Sequence, residues 1–202
     1  MLTSEHAQYW DEVIRTKEAD QFSWYQVDPS TSLRLVEQAP GSVIDVGAGK
    51  SSFVDHLLAA GRTDVTVLDV SEEALDLTRR RLGPAADAVT IEVADIVTWK
   101  PDRTYDVWHD RAHFHFLTES AHLSHYVDIV SDVVDTNGIV VLGTFAQDGP
   151  THCSGLPTTR YSPGDLAELF ADHFVLEHQE REDHLTPAQV TQPFTWVVLR
   201  RD

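Results

Sequence analysis

One cysteine and one methionine stand among 202 residues, and no apolar run approaches the roughly 18 residues of a membrane span. A lone Cys153 excludes an intramolecular disulfide, and with it a stapled secreted scaffold or a cysteine-rich zinc module; a reducing, cytoplasmic setting is expected. Basic residues are scarce too. Fifteen Lys and Arg face 33 Asp and Glu, a net charge of −18, and that field repels nucleic-acid backbones and anionic membrane surfaces, so neither is an expected partner. The amino end, MLTSEHAQYWDEV, puts Glu5, Asp11 and Glu12 where a secretory signal needs a basic start and an apolar run. Repeats, low-complexity tracts and long linkers are missing as well. What is present, 42% hydrophobic residues at a mean hydropathy of −0.25, suits one domain, 1–202, with a full-sized core.

From Val43 onward, short apolar runs alternate with stretches of helical period. SVIDV (42–46) reads as a buried strand ending abruptly in the glycine turn GAG. A helix follows over 51–60, with Phe53, Val54, Leu57 and Leu58 on one face and Gly61 as its stop. VTVLDV (65–70) is a second strand, and Ser71 caps a helix through Arg81 that Gly83 and Pro84 close. VTIEVADI (89–96) and YDVWHD (105–110) are two more strands. A helix over about 120–134 and the turn Thr136-Asn137-Gly138 precede a fifth, IVVLGTF (139–145). In the tail, Ser162-Pro163 caps GDLAELF. FVLEHQERED (174–183) and FTWVVLR (194–200), parted by a polar loop with Pro187 and Pro193, read as an antiparallel pair. Strands separated by helices predict a doubly wound α/β fold with a mostly parallel sheet and ligands at the carboxyl ends of its strands. Residues 1–40, with Tyr9, Trp10, Phe22, Trp24 and Tyr25, form a helical cap over those ends; 41–145 is the binding core, and 146–202 adds a substrate-side loop, helix and strand pair.

The strongest chemical constellation is Asp45-Val46-Gly47-Ala48-Gly49 at the end of the first strand, with Asp69 closing the second, 20 residues past Gly49. A glycine turn lets a ligand lie on bare backbone amides, and a carboxylate at the next strand end accepts ribose hydroxyls: an adenosine-type site. Two departures argue against a dinucleotide. Ser52 stands where a pyrophosphate loop wants Gly or Ala, and the acid Asp45 would repel a pyrophosphate while favouring an ammonium or a sulfonium.

On these residues the chain resembles the class I S-adenosylmethionine-dependent methyltransferases, in particular the small single-domain methyltransferase 11/12-like group. The likeness covers about residues 40–145: VIDVGAGKS resembles the first motif, VTVLDVSEEAL the second, VADI the third and YDVWHDR the fourth. The resemblance implies a seven-stranded Rossmann-like sheet with its last strand antiparallel. It implies S-adenosyl-L-methionine as cofactor, S-adenosyl-L-homocysteine as product, and methyl transfer to an oxygen, nitrogen or sulfur of a small molecule or an exposed protein side chain such as lysine. Gly47, Ala48 and Gly49 would pass under the methionine part, Asp45 would reach its amino group, Asp69 would hold the ribose, and Asp95 and Ile96 would bracket adenine. Ser51 and Val70 complete the set from the first and second motifs. FSWYQ resembles the amino-terminal segment of members related to protein-lysine methyltransferases, which would bring Trp24 or Tyr25 to the cofactor.

HDRAHFHFLT (109–118) is the most unusual local composition. In such a fold it lies beside the transferable methyl. His109 is read there as a cofactor-flanking residue or general base, with Asp110 orienting it or binding substrate, and Arg111 as a partner for a substrate carboxylate or a structural ion pair. Methyl transfer is an in-line displacement in which alignment contributes most, so a base is needed only when the nucleophile arrives protonated. Arg160 and Tyr161, in the Gly/Pro-rich loop 149–162, are further substrate-side candidates. No metal site is assigned: the chain has neither a second cysteine nor an HExxH pattern, and the alternation 113–116 is expected to pack its Phe rings inward. Two other readings share parts of the pattern. A nicotinamide-dependent oxidoreductase would want Gly or Ala at position 52, and a binding module without catalysis would keep Asp45, Gly47, Gly49 and Asp69 but no acceptor pocket.

Overall fold

The structure, a computed structural model, describes residues 3–202. Its elements follow in chain order. Helices α1 (Thr3–Arg15) and α2 (Ser30–Val36) precede β1 (Val43–Val46), α3 (Phe53–Ala59), β2 (Val65–Asp69), α4 (Glu72–Leu82), β3 (Val89–Val93) and β4 (Tyr105–Arg111). Then come α5 (Ser120–Val133), β5 (Val134–Phe145), a small hairpin of β6 (His152–Cys153) and β7 (Leu156–Pro157), α6 (Pro163–Leu169), β8 (Phe174–Leu185) and β9 (Thr191–Arg201). Seven strands make the main sheet in the order β3-β2-β1-β4-β5-β9-β8. All neighbours from β3 to β5 pair in parallel, and β9 runs antiparallel to both β5 and β8, so the last strand of the chain is the reversed one.

Burial explains the run-like strands. All four residues of β1 are buried, because helices cover both faces of a parallel sheet. One face packs Trp108, Tyr126, Phe114 and Phe170 under α5 and α6; the other packs Phe53, Leu57, Val107 and Trp196 under α2 and α3. Capping chemistry sets helix starts: Ser71 accepts from the Ala74 amide, and Ser162 and Asp165 form a reciprocal capping box. Since β1 sits between β2 and β4, the chain leaves it in opposite directions, and a crevice opens at its carboxyl end.

Three local expectations need correction. β3 stops at Val93, so Asp95 and Ile96 sit in the loop beyond it. Thr136-Asn137-Gly138 is no turn between elements but part of β5, which begins at Val134; Arg200 and Arg201 of β9 donate to the Asn137 and Val134 carbonyls and hold that stretch in the sheet. Pro193 belongs to β9, one residue past the last position paired with β5, where a missing amide proton costs no bond to that strand.

The amino-terminal segment is clamped over the crevice. Asp11 accepts from the Ser71 hydroxyl (2.7 Å) and the Glu73 amide (3.2 Å) at the start of α4. The buried Lys50 ammonium donates to the carbonyls of Ile14 and Lys17, 2.7 Å each, and lies over the Phe22 ring. Phe22 stacks on Trp24. From the other side, the β6–β7 hairpin meets α1 where the Tyr9 hydroxyl donates to the Ser154 carbonyl. Among the described residues no helix is long and apolar enough to cross a membrane.

Candidate active site

The crevice is a cavity of about 570 Å³ at the carboxyl ends of β1, β2 and β4, roofed by α1 and the β6–β7 hairpin. Its floor is the glycine turn. Gly47 and Gly49 have φ of +67° and +52°, which L side chains rarely adopt. A Cβ on Gly47 would stand 2.4 Å from the Cβ of His113, whereas one on Gly49 would meet Trp24, Asp69 and the Gly47 carbonyl at ordinary van der Waals distance. The first glycine makes room for His113, and the second leaves the main chain bare toward the cavity.

Carboxylates surround this floor, each held differently. Asp69 accepts from the Gly49 amide (2.7 Å) and the Ser71 amide (2.8 Å), which ties the glycine turn to the end of β2; burial nevertheless raises its pKa. Asp95 accepts from the Val97 amide and from Nδ1 of His6 (3.1 Å). Burial works against its charge, but the His6 hydrogen bond and the Val97 amide outweigh it, and the carboxyl stays below its usual value. Trp10 donates its indole N–H to Nε2 of His6 at 3.0 Å, which leaves Nδ1 to face Asp95. Asp45 binds Nδ1 of His109 at 2.7 Å.

Twelve of the expected residues line the cavity together: Trp24, Asp45, Gly47, Ala48, Gly49, Ser51, Asp69, Val70, Asp95, Ile96, His109 and Arg111. Four of the roles read for this region fail on geometry. His109 is no general base, because both its nitrogens are engaged, Nδ1 by Asp45 and Nε2 by the Ser32 hydroxyl at 2.9 Å. Asp110 does not orient His109: consecutive strand residues point to opposite faces, and Asp110 is fully buried away from the cavity wall. Arg160 and Tyr161 do not reach the cavity; Arg160 is exposed, and Tyr161 packs on Phe114 in the core. Arg111 does reach it, but its guanidinium donates to the Trp24 carbonyl (2.7 Å) and stacks on Phe194, fastening the cap to β4. Burial lowers its pKa to about 10.

Sequence reasoning missed His113. Its Nδ1 lies 2.9 Å from Oδ2 of Asp110, which also accepts from the Tyr126 hydroxyl (2.8 Å), while the other carboxylate oxygen accepts from the Phe114 amide (3.0 Å) and, more weakly, the His113 amide (3.3 Å). The Tyr126 hydroxyl in turn accepts from the Trp108 indole. With Nδ1 committed, Nε2 is the open nitrogen of a ring that lines the cavity. The signal that could have found it is the spacing Asp110-x-x-His113 just past a strand end. Of the two Phe rings expected to pack inward only Phe114 is fully buried; Phe116 lines the cavity, and His115 is fully buried instead, stacked on Phe145.

A doubly wound sheet with one reversed strand, and a glycine turn at the carboxyl end of its first strand, make the Rossmann-like fold seen in S-adenosylmethionine-dependent methyltransferases. Residues 43–138 match the family model described as a methyltransferase domain. No curated protein sequence matches the chain. Among solved structures, the chain is similar to N-methyltransferase NodS from Bradyrhizobium japonicum WM9 in complex with S-adenosyl-L-homocysteine, at a TM-score of 0.75 and 14% identity, covering 96% of this chain and 97% of that one. It is similar to the 1,6-didemethyltoxoflavin-N1-methyltransferase of Burkholderia thailandensis with bound 1,6-didemethyltoxoflavin and S-adenosylhomocysteine, at 0.72 and 19%, covering 99% and 87%. A third, from work on conversion of a disulfide bond into a thioacetal group during echinomycin biosynthesis, superposes at 0.78 with 19% identity, covering 97% and 93%. At these identities the likeness is one of fold.

Proposed function

We propose that the protein transfers a methyl group from S-adenosyl-L-methionine to an oxygen, nitrogen or sulfur atom of a small molecule. One observation carries the reading: the bare glycine turn and the Asp45, Asp69 and Asp95 carboxylates face one cavity of about 570 Å³ that α1 and the β6–β7 hairpin roof over. That size falls within the range of small-molecule sites, and a roofed chamber suits a metabolite better than a polypeptide. The residues present also fit the cofactor. Main chain with no Cβ in the way at Gly49 suits the methionine part, Asp69 at the β2 end has acceptor capacity for ribose hydroxyls, and Asp95 with Ile96 suits adenine. Asp45, Asp69 and Asp95 together favour a cationic ligand.

When bound, the cofactor supplies an electrophilic methyl on a positively charged sulfur. The chain's own contribution is alignment and exclusion of water: the glycine turn and Asp69 fix one partner, and Trp10, Trp24, Phe116, Leu156 and Pro157 wall the chamber with apolar surface. His109, locked between Asp45 and Ser32, holds the Asp45 carboxylate in place rather than moving a proton. The division of the chain into a cap (1–40), a cofactor core (41–145) and a substrate-side tail (146–202) belongs to this proposal, with Leu156 and Pro157 as the tail's contribution to the wall.

The test is direct binding, then turnover. S-adenosylhomocysteine should raise the melting temperature while NADH and NADPH leave it unchanged, and S-adenosylmethionine should be consumed with at least one member of a panel of small hydroxyl, amine and thiol acceptors. Stabilisation by the nicotinamides alone would replace the reading with an oxidoreductase; binding of S-adenosylhomocysteine without turnover on any acceptor would favour a module that only binds. Methylation of a peptide panel in preference to small molecules would overturn the small-acceptor part.

A further inference from the structure

We propose that His113 is the group that receives the acceptor's proton, with Asp110 as its positioning residue, and that the positive charge of the bound cofactor discharges His113 before the acceptor reacts. The inference rests on the reading of the cavity as an S-adenosylmethionine site.

The ring of His113 stands where no side chain on residue 47 could fit: its Cβ, Cγ and Cδ2 lie 2.4–2.9 Å from the place a Cβ on Gly47 would occupy. It is therefore packed on the segment that carries the methionine part in the proposed function. Asp110 holds Nδ1, and Asp110 is itself immobilised by the Phe114 amide and the Tyr126 hydroxyl, so the imidazole presents Nε2 to the cavity in one orientation. His109, the neighbouring ring, has no nitrogen to offer.

The charged and titratable groups that face His113 come from every wall. Asp110 lies on its own segment, Asp69 at the end of β2, Asp45 paired with His109 across β1 and β4, and Asp95 with His6 where α1 meets the loop after β3. Tyr126 comes from α5, His115 lies two residues on, and Glu119 and His122 line the cavity from the start of α5. Burial opposes the charged imidazole, but Asp110, with Asp69 and Asp95 behind it, outweighs burial and raises its pKa. In the ligand-free cavity these carboxylates, Asp110 at 2.9 Å first among them, favour the charged form of the ring. A sulfonium brought to the same place is a second positive charge, and two such charges separated by a few ångströms lower the imidazolium pKa by about one unit or more.

The step balances without an added reagent. The nucleophile's lone pair forms the new bond to the methyl carbon, the pair of the breaking carbon–sulfur bond stays on sulfur as a neutral thioether, and the nucleophile's proton moves to Nε2. A sulfonium beside a neutral imidazole becomes a thioether beside an imidazolium, so the charge inside the chamber is unchanged across the reaction. A base so placed selects acceptors that arrive carrying a proton, a hydroxyl or a thiol, or an ammonium that gives its proton to Nε2 before its freed lone pair attacks, over tertiary amines that need none.

The experiment needs no acceptor. Calorimetric titration of the protein with S-adenosylmethionine and with S-adenosylhomocysteine at pH 7, in two buffers of different ionisation enthalpy, counts protons released per ligand bound. S-adenosylmethionine should release more than S-adenosylhomocysteine, and the excess should vanish in His113→Gln. In the wild-type protein, the His113 ring resonance should titrate about one pH unit or more lower with S-adenosylmethionine bound than with S-adenosylhomocysteine, a readout that stands even where the variant does not fold. Equal release by the two ligands, an excess that survives in His113→Gln, or one His113 pKa in both complexes overturns the inference and leaves the cofactor reading intact. Failure of both ligands to bind sinks the cofactor reading instead.

Discussion

His115 makes the acid stability of this protein calculable. The ring is fully buried, stacked on Phe145 with centroids 4.4 Å apart, edge-on to Phe116, and neither nitrogen has a hydrogen-bond partner. Burial pushes its pKa down to about 3, against about 6.5 for histidine in an unfolded chain. The folded state thus refuses a proton that the unfolded state accepts, so stability falls as pH drops below about 6.5 and goes on falling until pH reaches about 3. Between pH 7 and pH 5 this one group removes about 2 kcal/mol, and by pH 3 about 4 to 5 kcal/mol. His115→Phe keeps a flat ring in the stack and abolishes the titration. Urea unfolding of both proteins at pH 7 and pH 5 isolates the effect, since the other ten histidines are common to the two and cancel in the difference. The variant should lose about 2 kcal/mol less than the wild type over that interval, whatever its stability at pH 7. Equal losses would mean that His115 is charged or hydrated in the folded state, and the calculation would be wrong.

Two substitutions probe the floor of the site. Gly47→Ala forces a Cβ to within 2.4 Å of His113 at a φ of +67°, and should lower stability by about 2 kcal/mol or more and weaken S-adenosylhomocysteine binding at least about tenfold, read by urea unfolding and calorimetry. Asp69→Ala removes the acceptor shared by the Gly49 and Ser71 amides and the one assigned to ribose; its dissociation constant for S-adenosylhomocysteine should rise by the equivalent of about 1–3 kcal/mol, and an unchanged constant would contradict the role.

The sheet and the glycine floor of the cavity were legible in the sequence because both rest on local rules. A parallel strand buried on both faces must read as an apolar run, and a main chain that opens to a ligand at positive φ must be glycine, so VIDVGAG and VTVLD declare their places without knowledge of the rest of the chain. Boundaries that depend on distant partners were not legible. β5 reaches back to Val134, which pairs with Tyr105 of β4 while arginines of β9 hold the Asn137 and Val134 carbonyls, and Asn137 itself sits at a φ of +66°, a conformation that marks a turn when read alone. The contact by which His6 reaches Asp95 spans 89 residues, and nothing local announces it.

That His113 rather than His109 keeps an open nitrogen at the cavity was within reach, however, and parity is the reason. In YDVWHDR, Val107, His109 and Arg111 must share one face of β4 and Trp108 and Asp110 the other, so adjacency of His109 and Asp110 in the chain guarantees that their side chains diverge. A buried carboxylate in that position has to find its donors on its own face or in the turn that follows. The turn supplies them: Ala112 takes a φ of +63°, the chain reverses, and the Phe114 amide and the His113 ring come back onto Asp110. The same reversal lays His113 on Gly47. An acid at the last inward position of a parallel strand, with a histidine three residues on, thus marks the histidine as the residue that enters the crevice, and the one beside the acid as structural support for the opposite face.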